Sequence, residues 1–330
     1  MTLPPLDDIL GSLRVVALPL AVRFRGVDVR EAALFEGPQG WTEFSPFVEY
    51  DDDESATWLA GAIDYGWRVL PPQRRNQVPV NATVPAVSAD QVAAVLARFD
   101  GCRTAKVKVA EAGQTLADDI ARVRAVREEM GPDGRIRIDA NAGWNVDQAE
   151  RAIHALAEYD LEYVEQPCAT VDELKDIRKR VKYAGIPIAA DESVRKAADT
   201  LAVARAGAAD LIIIKAQPLG GVHRALDIVA ETGLAAVVSS ALDTAIGLRM
   251  GAALAASLPQ LDYDCGLGTA SLFRADVGDS RPRGGMLSAE RLVPDAAALE
   301  THAADDDRAA WWRARIERCY RVLEGAGTES

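Results

Sequence analysis

Thr104-Ala-Lys-Val-Lys-Val109, Arg135-Ile-Arg-Ile-Asp139, Glu162-Tyr-Val-Glu165, Pro187-Ile-Ala-Ala-Asp191 and Leu211-Ile-Ile-Ile-Lys215 decide the reading of this chain. Each is a short β-prone run that ends on an ionisable residue or has one beside its end. From Lys108 to Asp139, Glu165, Asp191 and Lys215 the steps are about 31, 26, 26 and 24 residues, the length of a strand-plus-helix unit. A parallel strand is buried on both faces, so a charge at its end is costly unless that end opens onto a site. In a (β/α) barrel the C-terminal strand ends share one rim, and there the five groups would meet.

The same period extends both ways. Val78–Val84 reads as the first barrel strand, with Asn81 about 25 residues before Lys106 and Ser88 capping the helix that follows. Leu234–Ser240 and Leu261–Gly268 supply two more strand ends, making eight. The expectation is an α/β chain with a (β/α)8-type barrel, in the modified (β/α)7β form, over residues 78–270. An open doubly wound sheet of about six strands would be too short for this period. No Gly-x-Gly-x-x-Gly or Gly-x-x-x-x-Gly-Lys-[Ser/Thr] motif points to a dinucleotide or phosphate loop.

Upstream, Val15–Leu18 and Val29–Phe35 read as strands, Gly37–Gly40 as a turn, Gly40–Phe47 as a further strand, and Glu54–Val69 as a helix with Trp58, Leu59, Ala62, Ile63 and Trp67 on one side. These make residues 1–77 an α+β unit. Residues 271–330 turn irregular and then form an amphipathic helix near Asp306–Glu324, a segment expected to pack back on that unit.

At 330 residues and 49% hydrophobic content the chain can bury more than one core. Its 37 Lys plus Arg against 50 Asp plus Glu, net −13, argue against nucleic acid or an anionic membrane as partner. Met1–Leu10 lacks a basic region followed by an apolar run, so no signal peptide is expected, and no apolar run approaches the roughly 20 residues of a membrane span. Cys102, Cys168, Cys265 and Cys319 are widely spaced, as suits separate reduced thiols in a cytoplasm.

Asp139, Glu165 and Asp191 offer only oxygen, and none of His154, His223 and His302 sits at a strand end. Such a set selects Mg²⁺, with Mn²⁺ as the other candidate. Lys106 and Lys108 point to one face of their strand, and two neighbouring ammoniums lower each other's pKa, making a neutral lysine accessible as a base. Lys215, on the sixth strand, would face Lys108 across the pocket. A metal-bound carboxylate flanked by lysines describes proton abstraction beside that carboxylate with stabilisation of an enediolate. In Val22–Val27, Arg23 and Arg25 would be unpaired loop cations, either solvated or serving a substrate anion.

Lys106-Val-Lys108, Asp139-Ala-Asn141, Glu165-Gln-Pro167, Asp191-Glu-Ser193 and Lys215 resemble the motifs of the enolase superfamily, muconate-lactonizing branch, over nearly the whole chain. Phe24-Arg-Gly26, the run from Glu36 to Tyr50, and Ser239–Gly247 are most similar to the o-succinylbenzoate synthase family, actinobacterial type. That resemblance implies that residues 1–77 cap the barrel and that a small dianionic substrate undergoes a Mg²⁺-dependent syn dehydration in menaquinone biosynthesis. It implies Asp139, Glu165 and Asp191 as metal ligands with Asn141 and Glu192 beside them. Lys108 would move the proton, Lys215 would stabilise the enediolate, and Lys106 would tune Lys108. Ser239, Ser240, Gly266 and Leu267 would line the succinyl pocket, and Arg25 would close over it. N-acylamino acid racemases, dipeptide epimerases and muconate cycloisomerases share the core motifs. Sugar-acid dehydratases, which commonly place a histidine late in the barrel, and a non-catalytic binding barrel are the further alternatives.

Overall fold

The computed structural model describes residues 3–24, 26–194 and 197–328. After α1 (Leu6–Gly11) the chain forms an antiparallel meander of β1 (Arg14–Phe24), β2 (Val27–Gly37) and β3 (Gly40–Phe44). Then comes α2 (Asp52–Trp67), capped by Asp51, whose carboxylate accepts from the Glu54 amide at 2.8 Å.

From β4 (Gln77–Pro79) the chain alternates. β5 (Ala82–Val84), α3 (Val92–Leu96), β6 (Thr104–Lys108), α4 (Leu116–Met130), β7 (Arg135–Asp139), α5 (Val146–Leu156) and β8 (Leu161–Glu165) come first. α6 (Val171–Arg180), β9 (Ile188–Ala190), α7 (Ala197–Ala206), β10 (Leu211–Ile214), α8 (Val222–Thr232), β11 (Ala235–Val238) and α9 (Ala245–Ser257) follow. The strands from β5 to β11 pair in parallel, in chain order. Cys265 bridges to Val80 and Gly266 to Ser239, closing the ring with an eighth, two-residue strand. The helices start where side chains satisfy their free amides: Thr115, Asn145 and Thr170 accept from the residues three further on, Asp118, Gln148 and Glu173, which reach back in return. β12 (Met286–Ser288), α10 (Ala296–Thr301) and α11 (Asp306–Thr328) complete the chain's elements. Among the described residues no helix is long and apolar enough to cross a membrane.

Two expected strands differ. Val78–Val84 is broken: β4 pairs antiparallel with β12, and the barrel takes β5 and the bridging residue Val80. The partner changes at the break, where the Val80 amide donates to Gly285 O and the Asn81 amide to Cys265 O, both at 2.9 Å. Leu261–Gly268 keeps only the two bridging residues.

One core runs from the barrel into β1 and β2 through Val16, Leu18, Leu20, Ala32 and Leu34. A second joins Ala33, Phe35, Phe44 and the α2 residues Trp58, Leu59, Ala62 and Ile63 to Trp312, Ile316, Cys319 and Tyr320 of α11. Trp312 Nε1 donates to Glu31 at 2.8 Å, and Arg315 donates to Phe47 O, Tyr50 O and Ser55 Oγ at 2.7–2.9 Å.

Asp276 ties the segment after the barrel to α9. Its Oδ1 accepts from the amides of Ala245 (3.0 Å) and Val277 (2.7 Å), while Oδ2 is buried without a partner. Burial pushes this carboxyl up to about 7 against those two hydrogen bonds, with Glu43 adding to the rise and Arg281 opposing it. The folded state therefore binds the proton more tightly than the unfolded chain, whose aspartate pKa is about 3.9. This group's contribution is complete below about pH 4 and is lost as pH climbs to 7. Asp276→Asn removes that loss. Relative to the parent, its Tm is expected to rise by about 2–4 °C between pH 5 and pH 8 in thermal melts; a difference that does not change with pH would contradict this.

Candidate active site

Lys108, Asp139 and Glu165 are the last residues of β6, β7 and β8, and they pair laterally across the ladders. Laterally paired residues of a parallel sheet project to one face, here the barrel axis. Asp191 and Lys215 directly follow β9 and β10. In the ring β6 and β10 stand four places apart out of eight, so Lys108 and Lys215 occupy opposite walls with the three carboxylates along the arc between them.

Lys106 Nζ lies 2.7 Å from Glu165 Oε1 and 3.1 Å from Asp139 Oδ2. Lys108 Nζ lies 2.5 Å from both Asp139 Oδ2 and Asn141 Oδ1, and the Lys215 ammonium donates to Asp191 Oδ1. Asn141 donates its amide to Asp139 Oδ1 at 3.0 Å and its side chain to Glu192 Oε1 at 2.9 Å. Gln166, to which the sequence reading gave no role, aligns the next strand end. Its Oε1 accepts from the amides of Asp191 (2.9 Å) and Ser193 (3.2 Å), and its Nε2 donates to Ser193 Oγ at 2.7 Å. Asn141, Ala142 and Gln166 have φ of 43°, 63° and 38°. Left-handed backbone at such residues costs on the order of 1 kcal/mol or more and persists where the surroundings hold it.

Burial acts on the three carboxylates and on Lys106. It raises Glu165 to about 8, with the Asp139 charge adding and Lys106 opposing. Against the same burial, Lys108 and Lys106 hold Asp139 below the usual carboxylate range, and Lys215 with Lys106 does so for Asp191. Burial also drives Lys106 down, but Glu165 and Asp139 pull it well above its ordinary value. The lowering expected of two lysines paired near a metal is thus opposed at Lys106, where two carboxylates within 3.1 Å outweigh one neighbouring ammonium.

Among the described residues no group of three Asp, Glu, His or Cys side chains converges as a ready-made metal cluster; the Lys106 ammonium bridges Asp139 and Glu165 instead. The donor chemistry nevertheless fits a hard divalent cation. All the donors are carboxylate oxygens on three successive strand ends, and Glu165 Oε2 and Glu192 Oε2 are buried without a hydrogen-bond partner. Such orphaned oxygens are expensive, and a cation is a partner they can take.

Both lysines of β6, Asp139, Asp191, Glu192 and Lys215 face a cavity of about 40 Å³ whose walls include Ser239, Ser240, Gly266 and Thr269, while Glu165 is buried behind it. A cleft of about 760 Å³ between the end of β1 with Gly26 and the barrel rim shares Phe24, Lys108, Asn141 and Glu192 with it. The Ser240 hydroxyl donates to Gly266 O at 3.0 Å and lies 2.9 Å from Thr269 Oγ1. Thr269 and Thr83 also line the cavity without having been singled out, as does Phe24, quoted above only for the resemblance; its ring lies 5.6 Å from Lys108 Nζ. Leu267 does not line it: the side chain is fully buried against Gly251 of α9. Arg23 is exposed rather than unpaired, donating to Gly26 O at 3.0 Å and lying 3.6 Å from Asp28. Arg25 lies outside the described residues.

The chain belongs to the enolase superfamily: residues 15–66 match the model of the enolase N-terminal domain-like family, and residues 88–294 that of the enolase C-terminal domain-like family. Muconate lactonizing enzyme from Pseudomonas putida (19% identity, TM-score 0.72) superposes on 88% of this chain and 98% of its own, and dipeptide epimerase from Enterococcus faecalis complexed with Mg and L-Leu-L-Tyr (24%, TM-score 0.71) on 86% and 97%. At those identities the likeness is one of fold. The o-succinylbenzoate synthase of Mycolicibacterium smegmatis is 55% identical over 322 residues, 97% of this chain and 98% of that one, which sets the chain within the o-succinylbenzoate synthase family.

Proposed function

We propose that the chain catalyses the syn dehydration of 2-succinyl-6-hydroxy-2,4-cyclohexadiene-1-carboxylate to o-succinylbenzoate, a lyase step of menaquinone biosynthesis, with Mg²⁺ as its cation. The observation that carries this reading is the pair of lysines on opposite walls with three carboxylates on the arc between them. Mg²⁺ held by Asp139, Glu165 and Asp191 would supply positive charge to the substrate carboxylate. Lys108 takes the proton from the carbon bearing that carboxylate. The C–H electrons move into the carboxylate as an enediolate; when they return to form the new ring double bond the neighbouring C–O bond breaks, and Lys108 gives the proton it took to the leaving hydroxyl, so that water leaves and an aromatic ring remains. One lysine suffices because proton and hydroxyl leave from the same face. The Lys215 ammonium, on the other face, stabilises the negative charge developing on the carboxylate oxygens. The hydroxyls of Ser239 and Ser240 would receive the succinyl carboxylate, and residues 1–77 with 271–330 would cap a barrel of residues 78–270.

An ultraviolet assay with the cyclohexadiene substrate tests this. Diene absorbance should disappear at an enzymatic rate with Mg²⁺ present and fall to background in excess chelator. Inversion of N-succinylamino acids in D₂O at rates matching the dehydration would assign the chain to racemisation instead.

A further inference from the structure

Glu43 of β3 is fully buried, and its carboxylate reaches out of the meander into the barrel. Oε2 accepts from the Thr244 hydroxyl (2.6 Å), the Thr244 amide (3.2 Å) and the Gly247 amide (2.8 Å), while Oε1 accepts from the Ser45 hydroxyl at 2.5 Å. These amides begin α9, a 13-residue helix whose N-terminal end favours an anion. Gly247 makes the approach possible, since a Cβ there would lie 2.7 Å from Glu43 Oε2 and 2.7 Å from Asp243 Cβ. Gln217, two residues after Lys215, joins the group by donating to Ser45 Oγ and Asp243 Oδ1, both at 3.2 Å, and accepting from the Ser45 amide at 3.1 Å.

Arg30 of β2, also buried, reaches the same loop. Its Nε donates to Leu242 O at 3.1 Å, and its Nη2 to Ala241 O at 3.5 Å and to Ser45 O. Leu242 has φ of 61°, a left-handed conformation that a branched side chain rarely adopts unless its surroundings impose it. Ala241 and Leu242 line the small cavity beside Ser239 and Ser240. A carboxylate and a guanidinium from the meander thus converge on the loop that carries the seventh strand's hydroxyls into the site.

We propose that Glu43 and Arg30 are positioning residues for the substrate pocket. Through them the capping meander imposes the strained 239–243 loop and so sets where the Ser239 and Ser240 hydroxyls stand. The proposal rests on the function proposed above only for what those hydroxyls bind. Docking of the meander does not depend on the pair, because Val16, Leu18, Leu20, Ala32 and Leu34 already share the barrel's core. Losing the clamp therefore frees the loop and leaves the cap attached.

Glu43→Gln keeps the size of the side chain but replaces an acceptor with a donor that faces the α9 amides. In this variant amide hydrogen exchange across residues 239–247 is expected to rise about tenfold, with exchange in β6 and α8 unchanged. KM for the cyclohexadiene substrate should rise about tenfold while kcat stays within threefold, the pattern of lost uniform binding, and the Mg²⁺ concentration for half-activation should not move. Arg30→Lys, read the same way, serves as the second variant should Glu43→Gln fail to fold. Unchanged exchange at 239–247 overturns the clamp. Faster exchange with an unchanged KM, or a fall in kcat alone, overturns the positioning role. A parent protein that does not dehydrate the diene contradicts the proposed function instead, and the exchange measurement still decides the clamp.

Discussion

Lys108→Ala is expected to lower kcat for dehydration by about 10⁴-fold, the upper end of what general acid–base catalysis contributes, because one side chain serves both proton transfers. The fold should survive the change. Lys108 is largely buried against Asp139, but Lys106 remains 3.1 Å from the same carboxylate oxygen, so no bare charge is left in the barrel. Lys215→Ala removes an electrostatic partner rather than the proton carrier, and a smaller loss of about 10²–10³ is expected. Both are read in the diene assay, with circular dichroism and a thermal melt as controls. A Lys108→Ala protein that keeps its melt and loses less than tenfold in kcat would remove Lys108 from the proton path.

The second large effect concerns the cation. Asp191→Asn keeps the side chain's shape and leaves the backbone contact to Gln166 Oε1 untouched, so the strand end should hold its place. What it removes is one of three anionic donors. Mg²⁺ affinity measured by calorimetry is expected to fall at least about tenfold and turnover to drop about 10³-fold, while the metal-free protein stays folded with a lower Tm, since the Lys215 ammonium loses the carboxylate it is paired with. Mg²⁺ binding equal to the parent's, or full parent activity in excess chelator, would refute the role given to Asp139, Glu165 and Asp191.

The barrel was legible because its signal is periodic and local. Each strand run carries its own charge, and the interval between runs leaves room for one helix. What escaped depends on partners far away in the chain. The break between β4 and β5 comes from Val80 and Asn81 turning to Gly285 and Cys265, roughly 200 residues downstream, a change of partner with no local mark. The rise of Lys106 above its ordinary pKa needed the positions of Glu165 and Asp139, not just the spacing to Lys108. Leu267 was out of reach, because it lies past the two bridging residues Cys265 and Gly266 and its direction is set by packing against Gly251 of α9, not by strand alternation. Ser239 and Ser240 both line the cavity because β11 ends at Val238 and neither is bound by the alternation of a strand. Glu43 and Arg30 were invisible as site residues, since neither touches the cavity and each acts on a loop some 200 residues away.

The packing of α11 onto α2 and the meander bears on the order in which the protein assembles. Barrel strands neighbour each other along the chain, so that part can grow unit by unit as it is synthesised. The unit that precedes the barrel in the chain is different. Glu31 and Ser55 find partners in Trp312 and Arg315, and Tyr320 donates to Pro4 O at 2.8 Å, all more than 250 residues downstream. During synthesis at about 5–20 residues per second, Phe35, Phe44 and Trp58 wait on the order of tens of seconds for the helix that covers them. That unit is thus made before the barrel and finished after it, and the interval is when its apolar face is open to chaperones or to another nascent copy.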